Sequence, residues 1–231
     1  MTGPELFCDG LSPASGDGME THQHCLGEIA PDASAQSFGD GAGVKVYVSL
    51  REIVVGGFMV LTGGDHMTAT LAGETHDLTY DDSSGRAHYT TAFPAAKEGT
   101  VTVTFVRESP DAKATLTLPV AAPFSVEGGP TSIRLNDVVH FEVAPLPQSR
   151  AVDVYMSGPC VLSSKSADTA TSIPVVNGAA AFAAMDFVLG YSSCDVTTHV
   201  RELQAGVLDA RFGAGTAVGL QERGFVSSFS P

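Results

Sequence analysis

Positive charge is scarce in this chain: 12 Lys and Arg stand against 26 Asp and Glu, a net charge of −14 over 231 residues. Phosphate backbones and anionic bilayer surfaces are held by clustered cations, so this balance argues against nucleic acid and against an anionic membrane as partners. Long apolar runs are missing too, and none reaches the roughly 18 residues that a membrane-spanning helix requires. Catalytic signatures are equally sparse. There is no G-x-S-x-G elbow, no H-E-x-x-H helix and no glycine-rich phosphate loop. Carboxylate pairs such as Asp17 with Glu20 and Asp81 with Asp82 occur, with nothing to indicate a cleft around them. The expectation is a non-enzyme.

What the chain does have is two-residue alternation. Val101, Val103 and Phe105 share one side of a strand, and Thr102, Thr104 and Val106 the other. Leu116, Leu118 and Val120 repeat the period against Thr115 and Thr117. Between them, Ser109-Pro110-Asp111-Ala112 reads as a turn, with φ pre-set by Pro110. The stretch predicts an antiparallel hairpin that closes a β-sandwich. Pro119 and Pro123 are expected to stop the ladder, because neither donates a backbone hydrogen bond.

The length accommodates two sandwiches of about 100 residues each. Residues 1–43 are rich in Gly, Asp, Ser and Pro without periodicity and read as irregular, with 32–43 as a linker. Residues 44–122 carry about seven short strands separated by turn signals, among them Val44–Leu50, His66–Leu71, His76–Tyr80 and Ala87–Phe93. Residues 123–231 repeat the arrangement. Val139, Phe141 and Val143 form one inward face, Val152, Val154 and Met156 another, and Cys194, Val196, Thr198 and Val200 a third. Asn177-Gly178 is a two-residue hairpin signal, and Gly224–Phe229 reads as the final strand. The expected fold is all-β: two tandem immunoglobulin-like β-sandwich domains behind an irregular, disulfide-closed N-terminal segment.

Four cysteines allow three connectivities. Cys8 with Cys25 and Cys160 with Cys194 each fall inside one proposed unit, and no C-x-x-C spacing competes for a metal. Two disulfides are expected in preference to four reduced, buried thiols in a cytosolic protein, each worth about 3–4 kcal/mol on the chain-entropy model, and with them an extracytoplasmic location: periplasm, outer membrane or secreted. No basic region followed by an apolar stretch opens the chain, so the start reads as a mature one. Glu5-Leu6-Phe7 lacks the small residues expected before a lipidated cysteine, which leaves any lipid anchor to the precursor.

Ligand-type residues concentrate in two places. Met19, His22, His24 and Cys25 form the densest stretch; His22 and His24 share a side if extended, and imidazole with thioether suits copper. Against this stands a polar loop whose Cys25 is already used by Cys8. His66, His76 and His88 lie on adjacent expected strands and would make an open zinc or copper site if the registers aligned them. Histidines on strand surfaces are commoner than such sites. Asp81-Asp82-Ser83-Ser84-Gly85 could offer oxygens to calcium, but Asp and Ser form turns by bonding their own backbone, and no D-x-D-x-D-G loop is present. Asp209 reads as a capping or ion-pair residue beside Arg211.

Two segments carry a resemblance. TVTFVRESPDAKATLTLPVAAPFSV (102–126) and the tail from Cys194, with Arg201, Gly206, Leu208, Asp209, Phe212, Gly213 and Gly215, are similar to elements of uncharacterised exported proteins and lipoproteins of Gram-negative bacteria. The chain departs from them at Val120-Ala121-Ala122, which lengthens the Pro-to-Pro-Phe interval, and at Phe141 in place of Trp. The resemblance implies a cell-envelope location and a disulfide in the second domain, and no activity or cofactor. The functional expectation is a non-enzymatic envelope or secreted module that serves as a spacer or binds an envelope protein or glycan. A metal-binding protein (copper, zinc or calcium) and an envelope hydrolase of glycans or esters are the alternatives.

Overall fold

The computed structural model describes residues 20–21, 24–37, 43–54, 56–83, 88–94, 99–108, 111–145, 147, 151–161, 170–184 and 193–231. No α-helix occurs among them, and none of their segments is a helix long and apolar enough to cross a membrane. The chain divides into two compact units. The first comprises the described residues through Ala121 together with Gln204–Leu220, and the second Ala122–Leu203 with Gln221–Pro231. The consecutive boundaries expected from the sequence, 44–122 and 123–231, follow chain order; the segment Gln204–Leu220 instead clusters with the first unit.

In the first unit, β1 (Ile29–Ser37), β2 (Val44–Glu52), β5 (Thr79–Asp81) and β6 (His88–Phe93) form one sheet, and β3 (His66–Leu71), β4 (Glu74–Asp77), β7 (Gly99–Glu108) and β8 (Asp111–Val120) the other. The returning segment adds a strand to each: β16 (Val207–Leu208) beside β8, and the first residues of β17 (Thr216–Ser230) beside β1. The orders are β17-β1-β2-β6-β5 and β16-β8-β7-β3-β4. The facing sides enclose one core, including Val46, Val48, Met67, Val101, Val103, Phe105, Leu116, Leu118 and Phe212. The β7–β8 hairpin pairs as its alternation predicts, with Val101 opposite Leu118 and Val103 opposite Leu116.

Two expectations need correction here. Ile29–Ser37 is a nine-residue strand paired along its whole length with β2, and not part of an irregular segment and linker. Its inward positions include Ala33 and Ala35, which bury little apolar area and so leave a faint hydrophobic signal. Nor does Pro119 end the ladder, since β8 continues to Val120 opposite Gly99. A Cβ at Gly219 would collide with the Pro119 carbonyl oxygen, so that oxygen points toward β17. The nitrogen of a strand residue lies on the same edge as its oxygen, so the missing N–H removes no bond to β7.

Past Phe105 the inward row of β7 continues with Arg107, whose side chain is 1% exposed. A guanidinium removed from water needs partners in nearly all directions. Arg107 donates to the buried Asp65 carboxylate (Nη2 to Oδ2, 3.0 Å), to the His24 carbonyl (2.7 Å) and to the Thr21 carbonyl (2.5 Å). One cation thus fastens the segment ahead of β1 to the sheet that holds β7.

In the second unit, β12 (Ala151–Ser157), β13 (Thr171–Pro174), β15 (Cys194–Ala205, to Leu203) and β17 from Gln221 onward form a sheet of order β13-β12-β15-β17, and β10 (Ser132–Arg134) adds in parallel to β17. The facing sheet is β14-β11-β9, made of β9 (Ser125–Glu127), β11 (Val138–Ala144) and β14 (Ala179–Ala183). A separate core includes Phe124, Phe141, Val143, Val154, Met156, Phe182, Val200 and Phe229. Cys160 and Cys194 are bonded, closing a separation of 34 residues beside this core. The Asn177-Gly178 turn forms with φ of 51° and 85°, but only Val176 and Ala179 pair across it. Its flanking strands β13 and β14 then diverge into opposite sheets. Each unit is a two-sheet β-sandwich, antiparallel apart from the β10–β17 pair, and the fold is all-β.

Replacing Arg107 by Met would leave the buried Asp65 carboxyl without its guanidinium partner, at a cost of about 3–5 kcal/mol. Hydrogen exchange of β7 and β8 amides should show that loss in R107M and a much smaller one in the R107M/D65L double variant. Equal protection in R107M and the wild-type chain would contradict the role assigned to this pair.

Candidate functional site

The inward positions of β12 and β15 are apolar or small: Val152, Val154 and Met156 on one strand, Val196, Thr198 and Val200 on the other. The two-residue period therefore sends Tyr155 and Ser157, and His199 and Arg201, to the opposite face. Register makes Tyr155 the direct neighbour of His199. On β17 the buried Gln221 points inward, so Glu222 emerges on the same outward face beside β15.

These side chains form one connected network. Glu222 Oε2 accepts from the Tyr155 hydroxyl at 2.9 Å and from Arg201 Nε at 2.7 Å. His199 Nδ1 lies 2.9 Å from Glu222 Oε1, and His199 Nε2 lies 2.8 Å from Ser157 Oγ. The His199 ring stacks on Tyr155 with centroids 4.2 Å apart and planes 4° apart, and the Arg201 guanidinium sits 4.6 Å from the Tyr155 centroid.

Burial by itself would raise the Glu222 pKa. Hydrogen bonds from His199, Arg201 and Tyr155, with the Arg201 charge, outweigh burial and bring the carboxyl down to about 2. The Tyr155 hydroxyl moves the other way, to about 12, because of burial and then the neighbouring Glu222 charge. Glu222 is thus an anion that can only accept. Hence His199 Nδ1 carries a hydrogen, and in the neutral ring Nε2 is free to accept the Ser157 proton. Shifted groups clustered around one histidine mark this face as the candidate site.

The described members of the sequence-nominated ligand sets, His24, Cys25, His66, His76 and His88, do not converge in this way. Met19, His22 and Cys8 lie outside the described residues. The ring of His24 is 3.5 Å from Glu28 Oε2, while its carbonyl serves Arg107. Cys25 is disulfide-bonded. His66 lies at the start of β3 with Nδ1 3.2 Å from the Gly64 carbonyl, and it points outward with Thr68. His76 is opposite Ala69, on the other face of that sheet, stacked on Phe93 at 4.7 Å and bonded to the Ala92 carbonyl and Glu74. His88 lies on β6, in the other sheet of the unit, 3.8 Å from Asp81 Oδ2. Among the described residues no group of three or more His, Cys, Asp and Glu side chains is placed to hold a metal ion. The Asp81 carboxylate accepts the Ser83 amide at 2.9 Å, as the turn reading expects. Asp209 forms an ion pair with Arg211 and accepts the Thr115 amide, joining the returning segment to β8.

Sequence reasoning missed the network itself. Ser157 and His199 are 42 residues apart and His199 and Glu222 are 23 apart, so no local motif contains them. The usable signal was the alternation in AVDVYMS and CDVTTHVR, which sets polar and aromatic residues on the outward faces of both strands.

No family model matches the chain, and no curated protein does. Solved structures to which it is similar include a Bacteroides ovatus surface protein, SGBP-B of the mixed-linkage glucan utilization locus, in complex with a mixed-linkage heptasaccharide. That likeness has 11% identity and a TM-score of 0.26, and it covers 88% of this chain and 60% of that one. Chicken CNTN1 domains FN1–FN3 match at 9% identity and a TM-score of 0.24, over 87% of this chain and 69% of that one. A titin A168–A169 fragment matches at 8% and 0.25, over 87% and 98%. The chain thus spans less than two thirds of the first of these, and resemblance at this level carries no ligand.

Because folding lowers the Glu222 pKa from 4.5 to about 2, its contribution to stability is complete above pH 4.5 and disappears as pH falls through 2. The shift, discounted for partial exposure, is worth about 2–3 kcal/mol. Urea unfolding of the wild-type chain should show this loss over that window. In E222Q the component should be absent, and the same acid sensitivity in both proteins would contradict the network.

Proposed function

We propose that the chain is an extracytoplasmic, non-enzymatic module that acts by holding or spacing a macromolecular partner of the cell envelope, protein or glycan. The observation that carries this reading is the pair of separate cores, each closed by two sheets, the second stapled by Cys160–Cys194. Structural disulfides persist in oxidising compartments, and bridging 34 residues contributes about 3–4 kcal/mol to a domain destined for one. Paired charges support the reading too. Asp65, Asp209 and Glu222 are each engaged by a neighbouring arginine, as suits a scaffold with a fixed surface.

Cells expressing the native gene should yield protein in which alkylation without reduction labels none of the four cysteines. The purified chain should bind that cell's isolated envelope material saturably. Free thiols in the native protein would return it to the cytosol, and steady turnover of a substrate lost through one point substitution would overturn the non-enzymatic reading.

A further inference from the structure

We propose that Ser157 is an activated nucleophile that accepts one acyl group per chain from an activated carboxylic ester, with His199 as its base and Glu222 positioning that base. The inference goes beyond the binding reading and is independent of it, since it concerns a single covalent transfer and not turnover.

The geometry supplies each required part. Ser157 ends β12 at an exposed position, and its Oγ lies 2.8 Å from His199 Nε2. The other nitrogen of that ring is held at 2.9 Å by Glu222. Nucleophile, base and a third group orienting the base are the three elements by which an activated hydroxyl is recognised. Glu222 is itself fixed by Tyr155 and Arg201, and the Tyr155 ring stacks on the imidazole, so ring angle and tautomer are both set before any ester arrives. A serine hydroxyl is a weak nucleophile unless its proton has a place to go. His199 Nε2 is that place.

In the proposed step Ser157 Oγ bonds to the carbonyl carbon of the ester, and the bond from that carbon to the departing oxygen breaks. The Ser157 proton passes to His199 Nε2 and from there to the departing oxygen. The products are an ester of Ser157 and a free alcohol or phenol, with nothing oxidised or reduced.

The test exposes the full chain to p-nitrophenyl acetate and maps acetyl groups by peptide mass. Ser125 provides an internal reference: it is an exposed strand serine whose hydroxyl donates to the Ala144 carbonyl at 3.2 Å, with no histidine bonded to it among the described residues. The expected result is acetylation of Ser157 about 100-fold faster than of Ser125, in line with general-base assistance. H199Q should bring Ser157 down to the Ser125 rate, and S157A should abolish the fast phase of p-nitrophenol release. Equal rates at the two serines of the wild-type chain would overturn the proposal, as would an unchanged Ser157 rate in folded H199Q. Should H199Q fail to fold, the wild-type ratio decides. For Glu222, ring nitrogen shifts of His199 should report the Nδ1–H tautomer in the wild-type chain and a mixture in E222Q. An unchanged tautomer would remove the positioning role.

Discussion

The candidate site depends on the two-residue period of the β-strand combined with cross-strand register. In β12 and β15 that period buries Val152, Val154, Val196 and Val200, and the same geometry compels Tyr155, Ser157, His199 and Arg201 to the opposite side. Tyr155 faces His199 because the two strands are in one particular register. A slip by a single residue would turn those polar side chains into the core and expose the valines. Formation of the core and assembly of the network are therefore one event, since the apolar residues hold the register that the polar ones use.

A second constraint recurs in both units: an ion shielded from water must be matched. Asp65 and Arg107 satisfy it inside the first sandwich, where the guanidinium also takes up the carbonyls of Thr21 and His24. Glu222 satisfies it on the second with three donors from two neighbouring strands. The two outcomes differ. Arg107 spends its hydrogens on backbone and so organises the chain ahead of β1. Glu222 fixes a ring whose remaining nitrogen is turned toward an exposed hydroxyl.

Much of this architecture was legible in the sequence, and the exceptions have identifiable causes. The two faces of the β7–β8 hairpin could be read because apolar residues and Thr alternate along both strands, but its register could not: Asp111 and Ala112, expected in the turn, pair with Glu108 and Arg107. Strand β1 was hidden because alanine and proline occupy inward slots that usually carry larger aliphatics. Arg107 was unreadable as an inward residue, since its burial follows from Asp65, 42 residues away. Asn177-Gly178 correctly announced a turn, but local chemistry has no means of showing that its two arms would join different sheets. The network of Ser157, His199 and Glu222 is the extreme case. It exists only after three strands distant in the chain have paired.

The central physical claim is that Glu222 stays ionised on the outward face because Tyr155, Arg201 and His199 all point donors at it, and that this anion sets the state of the His199 ring. The most direct measurement is the carboxyl carbon resonance of Glu222, followed by NMR as pH is lowered. A midpoint near 2 is the result that the network requires. A midpoint near 4.5, the ordinary value for a glutamate, would show a carboxylate without those partners and would contradict the account.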